Sequence, residues 1–146
     1  MKIKMLFILA MLFVKVANAQ VSVGYYPFQS LLAVSTASDR LLWAEYKLET
    51  NTFMSNLNME LSPRINIKHT SQSKFYIGAG ISFNPINQFS ELSVLNGSFI
   101  DIGTRIQPLK TQPGLQVIFE ISPYVNRTFD GGNLRTRLGL AWEFLK

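Results

Sequence analysis

The stretch Asn58-Met59-Glu60-Leu61-Ser62-Pro63-Arg64-Ile65-Asn66-Ile67-Lys68 decides the fold. Its even positions carry Asn, Glu, Ser, Arg, Asn and Lys, and its odd positions carry Met, Leu, Pro, Ile and Ile. A period of two means an extended strand with unlike surroundings on its two faces. The same pattern marks eight segments: Val21–Tyr26, Leu31–Ala37, Leu41–Glu49, Leu57–Lys68, Phe75–Phe83, Phe99–Gln107, Leu115–Asn126 and Leu134–Phe144. In six of these the charged residues share one face, and the other face is nearly unbroken hydrocarbon.

Upstream lies a stretch that reads as a processing signal. Lys2 and Lys4 start it, Met5 to Val14 is apolar, and Ala17-Asn18-Ala19 supplies the small residues of a cleavage site before Gln20. Residues 1–19 are therefore expected to be a signal peptide, and 20–146 one domain. The apolar run is too short to span a bilayer as a helix, and no later segment approaches the roughly twenty residues that would. Removing Lys2, Lys4 and Lys15 from the fourteen Lys and Arg leaves eleven bases against nine acids. The basic balance thus belongs mostly to the leader, which gives nucleic-acid binding little support. With no Cys, a disulfide framework, thiolate metal sites and a Cys nucleophile are excluded.

An exported chain with alternating strands points to an all-β fold: an eight-stranded antiparallel up-and-down transmembrane β-barrel with lipid outside and a polar interior. The connectors fit an N-terminus in the periplasm. Short turns at Ser38-Asp39-Arg40, His69–Lys74 and Pro108–Gly114 alternate with outer connections at Pro27–Ser30, Thr50–Asn56, Asn84–Ser98 and Arg127–Asn133. With its signal peptide and a terminal strand ending Leu140-Ala141-Trp142-Glu143-Phe144, the chain resembles small outer-membrane barrels of the OmpX type and the transmembrane domain of the OmpA type. The resemblance covers the whole mature chain and is architectural. It implies a Gram-negative-type outer membrane, contact with its lipid and with barrel-assembly machinery, and a monomer. Members often end in an aromatic residue; here Leu145-Lys146 follows Phe144. The chain stops at the barrel, so the resemblance implies no cell-wall anchoring.

Ten charged residues are expected on the inner face: Glu45, Lys47, Glu60, Arg64, Asp101, Arg105, Glu120, Arg135, Arg137 and Glu143. Eight strands leave an interior just wide enough for side chains, so a salt-bridge network is favoured over an ion path or a catalytic pair. Hairpin closure predicts Lys47 opposite Glu60 and Arg105 opposite Glu120. Gly78, Gly80, Gly103 and Gly139 lie on the same face and offset the long side chains. Pro63 and Pro123 are expected at a rim or a bulge. Tyr25, Tyr46, Phe53, Phe75, Phe83, Phe119, Trp142 and Phe144 read as interfacial girdles. Asp130-Gly131-Gly132-Asn133 reads as a hairpin turn rich in residues that accept φ > 0.

His69, the sole histidine, has no second His or Cys to form a metal or catalytic set with it, and reads as an exposed turn residue. No catalytic residue, metal site or cofactor is expected. The longest connector, Asn84–Ser98, offers Phe89, Leu92, Val94 and Leu95 as an outer contact surface for a partner not yet named. The expected role is a non-enzymatic envelope or loop-contact protein. A lipid-modifying enzyme and a soluble periplasmic barrel for an apolar ligand stand as alternatives.

Overall fold

The alternation closes on itself. The structure, a computed structural model, describes residues 20–51, 57–89 and 92–144. The expected leader, Phe53 and Leu145-Lys146 lie outside these residues. Eight strands follow in chain order: β1 (Val21–Tyr26), β2 (Leu31–Thr36), β3 (Leu42–Glu49), β4 (Met59–His69), β5 (Ser73–Phe83), β6 (Leu95–Ile106), β7 (Leu115–Asn126) and β8 (Gly132–Phe144). Each is antiparallel to its neighbours, and β8 returns to β1 to close the barrel. Closure pairs the edges that an open sheet would leave bare. We call the end that holds Val21 and Phe144 the near end, and the other the far end.

Inward positions are buried and outward positions exposed along almost every strand. In β7 the inward residues are Gln116, Ile118, Glu120 and Ser122, all fully buried. The outward wall is hydrocarbon, including Val34, Ile65, Ile77, Ile102, Phe119 and Leu140. Tyr25, Phe75, Phe119, Trp142 and Phe144 are exposed on that wall. Phe119 stands in mid-strand against Thr104 and Leu138, so it belongs to the apolar band rather than to a girdle.

Inner-face glycines make room for rings. A Cβ on Gly103 would lie 2.5 Å from the Tyr76 ring, and one on Gly139 would lie 2.8 Å from the Tyr26 ring. Tyr76 and Tyr26 therefore each occupy the volume that a glycine on the adjacent strand vacates.

The structure corrects several boundaries. β5 begins at Ser73, so Lys74 belongs to a strand rather than a turn, and its side chain is buried. β6 begins at Leu95, four residues earlier than expected, so Leu95 is paired with Phe83 and is no longer a loop residue. Pro63 and Pro123 sit within β4 and β7, not at a rim or bulge. Beside Pro63 the β4–β5 ladder is interrupted, and beside Pro123 the β6–β7 ladder is, yet register continues on either side. A missing N–H removes a rung without inserting a residue. The β4–β5 bulge falls between Asn66 and Lys68 instead.

In the β7–β8 turn the positive φ (60°) falls on Phe129, not on a glycine, and Gly132 already belongs to β8. Asn126 and Thr128 donate to the Asp130 carboxylate at 2.5 and 2.7 Å and stabilise this turn. These hydrogen bonds hold the Asp130 carboxyl below its ordinary range.

Packing of Tyr76 against Gly103 sets a testable cost. Gly103→Ala should lower stability by about 1–3 kcal/mol through overpacking. Gly131→Ala, in the exposed turn, should change it little. Urea unfolding of the two variants checks the difference.

Candidate functional site: the charged interior

Side chains that alternation sends inward meet in three tiers. At the centre Arg64, fully buried, faces three carboxylates. Its Nη1 stands 2.9 Å from Glu45, and its Nη2 stands 2.6 Å from Asp101 and 2.8 Å from Glu120. The Nη1 contact is an ion pair without hydrogen-bond alignment. Lys47 binds Glu120 and lies 3.5 Å from Glu45 and 3.8 Å from Asp101. Tyr76 donates to Glu120 at 2.9 Å and Tyr26 to Glu45 at 3.2 Å. The Arg64 guanidinium also lies 4.8 Å from the Tyr76 ring centre and 5.1 Å from that of Trp43.

The near tier is sealed. Arg105 binds Glu45, stacks 4.6 Å from the Trp43 ring, and donates to Ser22, Ser35 and Gln116, each at 3.3 Å. Gln116 donates to Glu143, and Lys74 binds Asp39 and Glu143. Asn66 reaches out of the interior to accept from Trp43 Nε1 at 3.1 Å. It donates to the carbonyls of Ser38 and Arg40 at 2.7 and 2.8 Å. The β2–β3 turn is thereby tied across the near end as a cap.

The far tier is more open. Arg137 donates to Glu120 at 3.0 Å and Glu60 at 2.8 Å, and Arg135 donates to Glu60 at 2.6 Å. Beyond them lies a cavity of about 290 Å³ that includes Gln29, Glu49 and Asn58 in its lining.

All ten sequence-predicted charges point inward, and they form one network. Of the two predicted pairings, the Lys47–Glu60 register holds without an ion pair between them, and the Arg105–Glu120 register fails. Lys47 does stand opposite Glu60 in register, but Lys47 turns to Glu120 while Glu60 serves Arg135 and Arg137. Arg105 stands opposite Ile118, and Glu120 opposite Gly103 and Arg137. The actual β6–β7 register differs by two residues from the predicted one, which preserves the faces and changes the partners. Lys74, Asp39, Asn66 and Trp43 were absent from the predicted network. Continuing the alternation of β5 back from Tyr76 would have found Lys74; no pattern in the sequence points to Asp39.

Phe89, Leu92, Val94 and Leu95 are exposed at the far end, with Phe89 closing a 3-10 helix over Pro85–Phe89. His69 is exposed at the near end of β4. Comparison with known protein families, curated proteins and solved structures finds no match.

Within the charged positions, Lys47, Arg64, Lys74, Arg105, Arg135 and Arg137 answer Asp39, Glu45, Glu60, Asp101, Glu120 and Glu143. Deleting one member strands its partners in low dielectric. Arg64→Met should cost about 3–5 kcal/mol. A cycle on Arg105→Met and Glu45→Gln should show coupling of about 0.5–3 kcal/mol, and one on Lys74→Met and Glu60→Gln, at opposite ends, should be additive within about 0.5 kcal/mol. Equilibrium unfolding of the single and double variants reads both.

Proposed function

We propose that the chain is exported behind residues 1–19 and inserts into an outer membrane as a lipid-facing barrel. There it acts without catalysis, as an envelope protein whose working surface is its far-end loops. The observation that carries this reading is the reversal of polarity. Large hydrocarbon side chains cover the outside of the wall, while charged groups fill the inside. A monomer in water rarely exposes so extended an apolar surface, whereas a membrane barrel requires one.

The other readings draw less support. A soluble barrel for an apolar ligand needs an apolar interior, and this interior holds the ion network. A Ser–His–acid hydrolase needs its histidine beside a base-orienting carboxylate, and among the described residues no hydrogen bond or ion pair joins His69 to one. The closed middle tier also favours a structural core over a conducting path. In this reading Tyr25, Phe75, Trp142 and Phe144 anchor the wall at the membrane interfaces. Contacts made by Phe89, Leu92 and Val94 are the proposed loop function.

The protein should fractionate with the outer membrane, resist alkaline extraction, and shift in gel mobility on boiling. Ile102→Arg should destabilise the lipid-folded barrel by roughly 2–4 kcal/mol, while Leu92→Arg in the loop should be nearly neutral. Planar bilayers should record no large steady conductance. Recovery as a periplasmic monomer without detergent, or a stable wide channel, would overturn the reading.

A further inference from the structure

Among the described residues, several charged groups at the far mouth keep hydrogen-bonding atoms without a partner around one cavity. Arg135 spends Nη1 on Glu60, which leaves Nε and Nη2, one whole edge of the guanidinium, without a hydrogen bond. That plane is held 4.0 Å from the Tyr124 ring centre and 5.5 Å from that of Phe99. Arg137, buried, leaves its Nε without a partner. Glu60, also buried, serves both arginines with Oε1 and leaves Oε2 unused. Glu49, half-buried at the end of β3, makes no ion pair among the described residues. These four line the cavity of about 290 Å³ with Gln29 and Asn58.

Unused buried donors and acceptors are costly, and a guest that meets them offsets that cost. The signs select the guest. A plain anion would meet Arg135 but also face Glu49 and Glu60. A plain cation would meet those carboxylates but also face both arginines. A group that carries both signs satisfies both sets. We propose that the far mouth binds a zwitterion: a phosphate or carboxylate on the Arg135 edge, joined by a short link to a primary ammonium at Glu49 and Glu60. Nε and Nη2 carry almost no exposed surface, so the guest reaches this edge as the partly exposed Arg135 side chain turns toward it, and the edge then offers two parallel donors, the geometry that grips such oxyanions. The volume suits a headgroup-sized ligand, being near the lower limit of the roughly 300–1,000 Å³ that holds drug-sized molecules.

The rim is low on one side. β1 ends at Tyr26, and its last pairing with β8 is Tyr25 with Leu140, whereas β8 runs on to Gly132. Gln29 of the β1–β2 turn donates to the Thr136 carbonyl of β8 at 3.0 Å and bridges this gap at the edge of the cavity. The same chemistry could come from a dissolved zwitterion or from the headgroup of a lipid beside the wall. Only the lipid source rests on the membrane reading.

The test titrates O-phosphoethanolamine into the folded protein, followed by calorimetry or NMR, with inorganic phosphate and ethanolamine titrated separately. Saturable binding of phosphoethanolamine is expected. Either fragment should bind at least about tenfold more weakly, as loss of a charge-assisted contact requires. Glu49→Gln and Arg135→Gln should each weaken the probe by a similar factor, with gel mobility confirming closure of the barrel. Arg135→Lys keeps the charge but loses the two-donor edge, and it should weaken binding too if Arg135→Gln fails to fold. Repeating the titration in phosphatidylethanolamine and phosphatidylglycerol nanodiscs locates the source. Weaker probe binding only in phosphatidylethanolamine identifies a competing lipid headgroup, and equal binding identifies a dissolved ligand; both uphold the site. Absence of saturable binding, phosphate or ethanolamine alone binding as tightly as the probe, or an indifferent Glu49→Gln would overturn it. Failure of membrane fractionation would not, because the same titration can be run on a soluble protein.

Discussion

A charge enclosed by eight strands has no water to return to, and this constraint organises the molecule. Desolvation costs several kcal/mol for each ion unless opposite charges and hydrogen-bond donors surround it. Arg64 shows the solution: three carboxylates meet its guanidinium, and two aromatic rings flank it. The carboxylates are then shared onward, Glu45 with Arg105 and Glu120 with Lys47 and Arg137. Each group is held by neighbours on several strands, so the network also fixes how the strands meet around the barrel.

Volume follows from the same enclosure. Long cations and rings fit only because small residues face them, as Gly103 faces Tyr76 and Gly139 faces Tyr26. The wall can then be plain hydrocarbon, because the specificity of the fold lies inside. Even the two prolines are accommodated: each interrupts the ladder on one side while its strand stays in register on the other. The near end is tied shut through Asn66 and leaves Arg105 Nε unspent, whereas the far tier leaves four atoms unspent on Glu60, Arg135 and Arg137. A difference between the two ends is expected if one of them is the working surface.

Much of this was legible before the structure. The period of two assigned the faces of Glu45, Arg64, Asp101 and Glu120 because parity survives small errors in strand ends. Partners were not legible. Arg105 meets Glu45 on a strand far around the barrel, since long side chains cross the interior rather than stopping at the adjacent strand. Strand ends were hardest where local signals conflict. Lys74 after Ser-Gln-Ser looks like a turn residue, and Asn96-Gly97 looks like a turn, yet cross-strand pairing extends β5 and β6 through them. The φ > 0 position fell on Phe129 because side-chain hydrogen bonds from Asn126 and Thr128 shape that turn, a cue the adjacent glycines obscured. The candidate site at the far mouth was only half visible: Arg135 and Arg137 were marked as inward, but their unused donors depend on distances no sequence pattern encodes.

The central claim is that one face of each strand meets lipid and the other meets a closed ionic core. Single spin labels placed along β7 test it most directly, with an oxygen-like relaxant that partitions into lipid and a nickel chelate that stays in water. Labels at Val117, Phe119 and Ile121 should respond to the lipid-soluble relaxant, and labels at Ile118, Glu120 and Ser122 in variants that still fold should respond to neither. Strong relaxation of the Val117, Phe119 and Ile121 labels by the nickel chelate, with none by the lipid-soluble agent, would contradict the account.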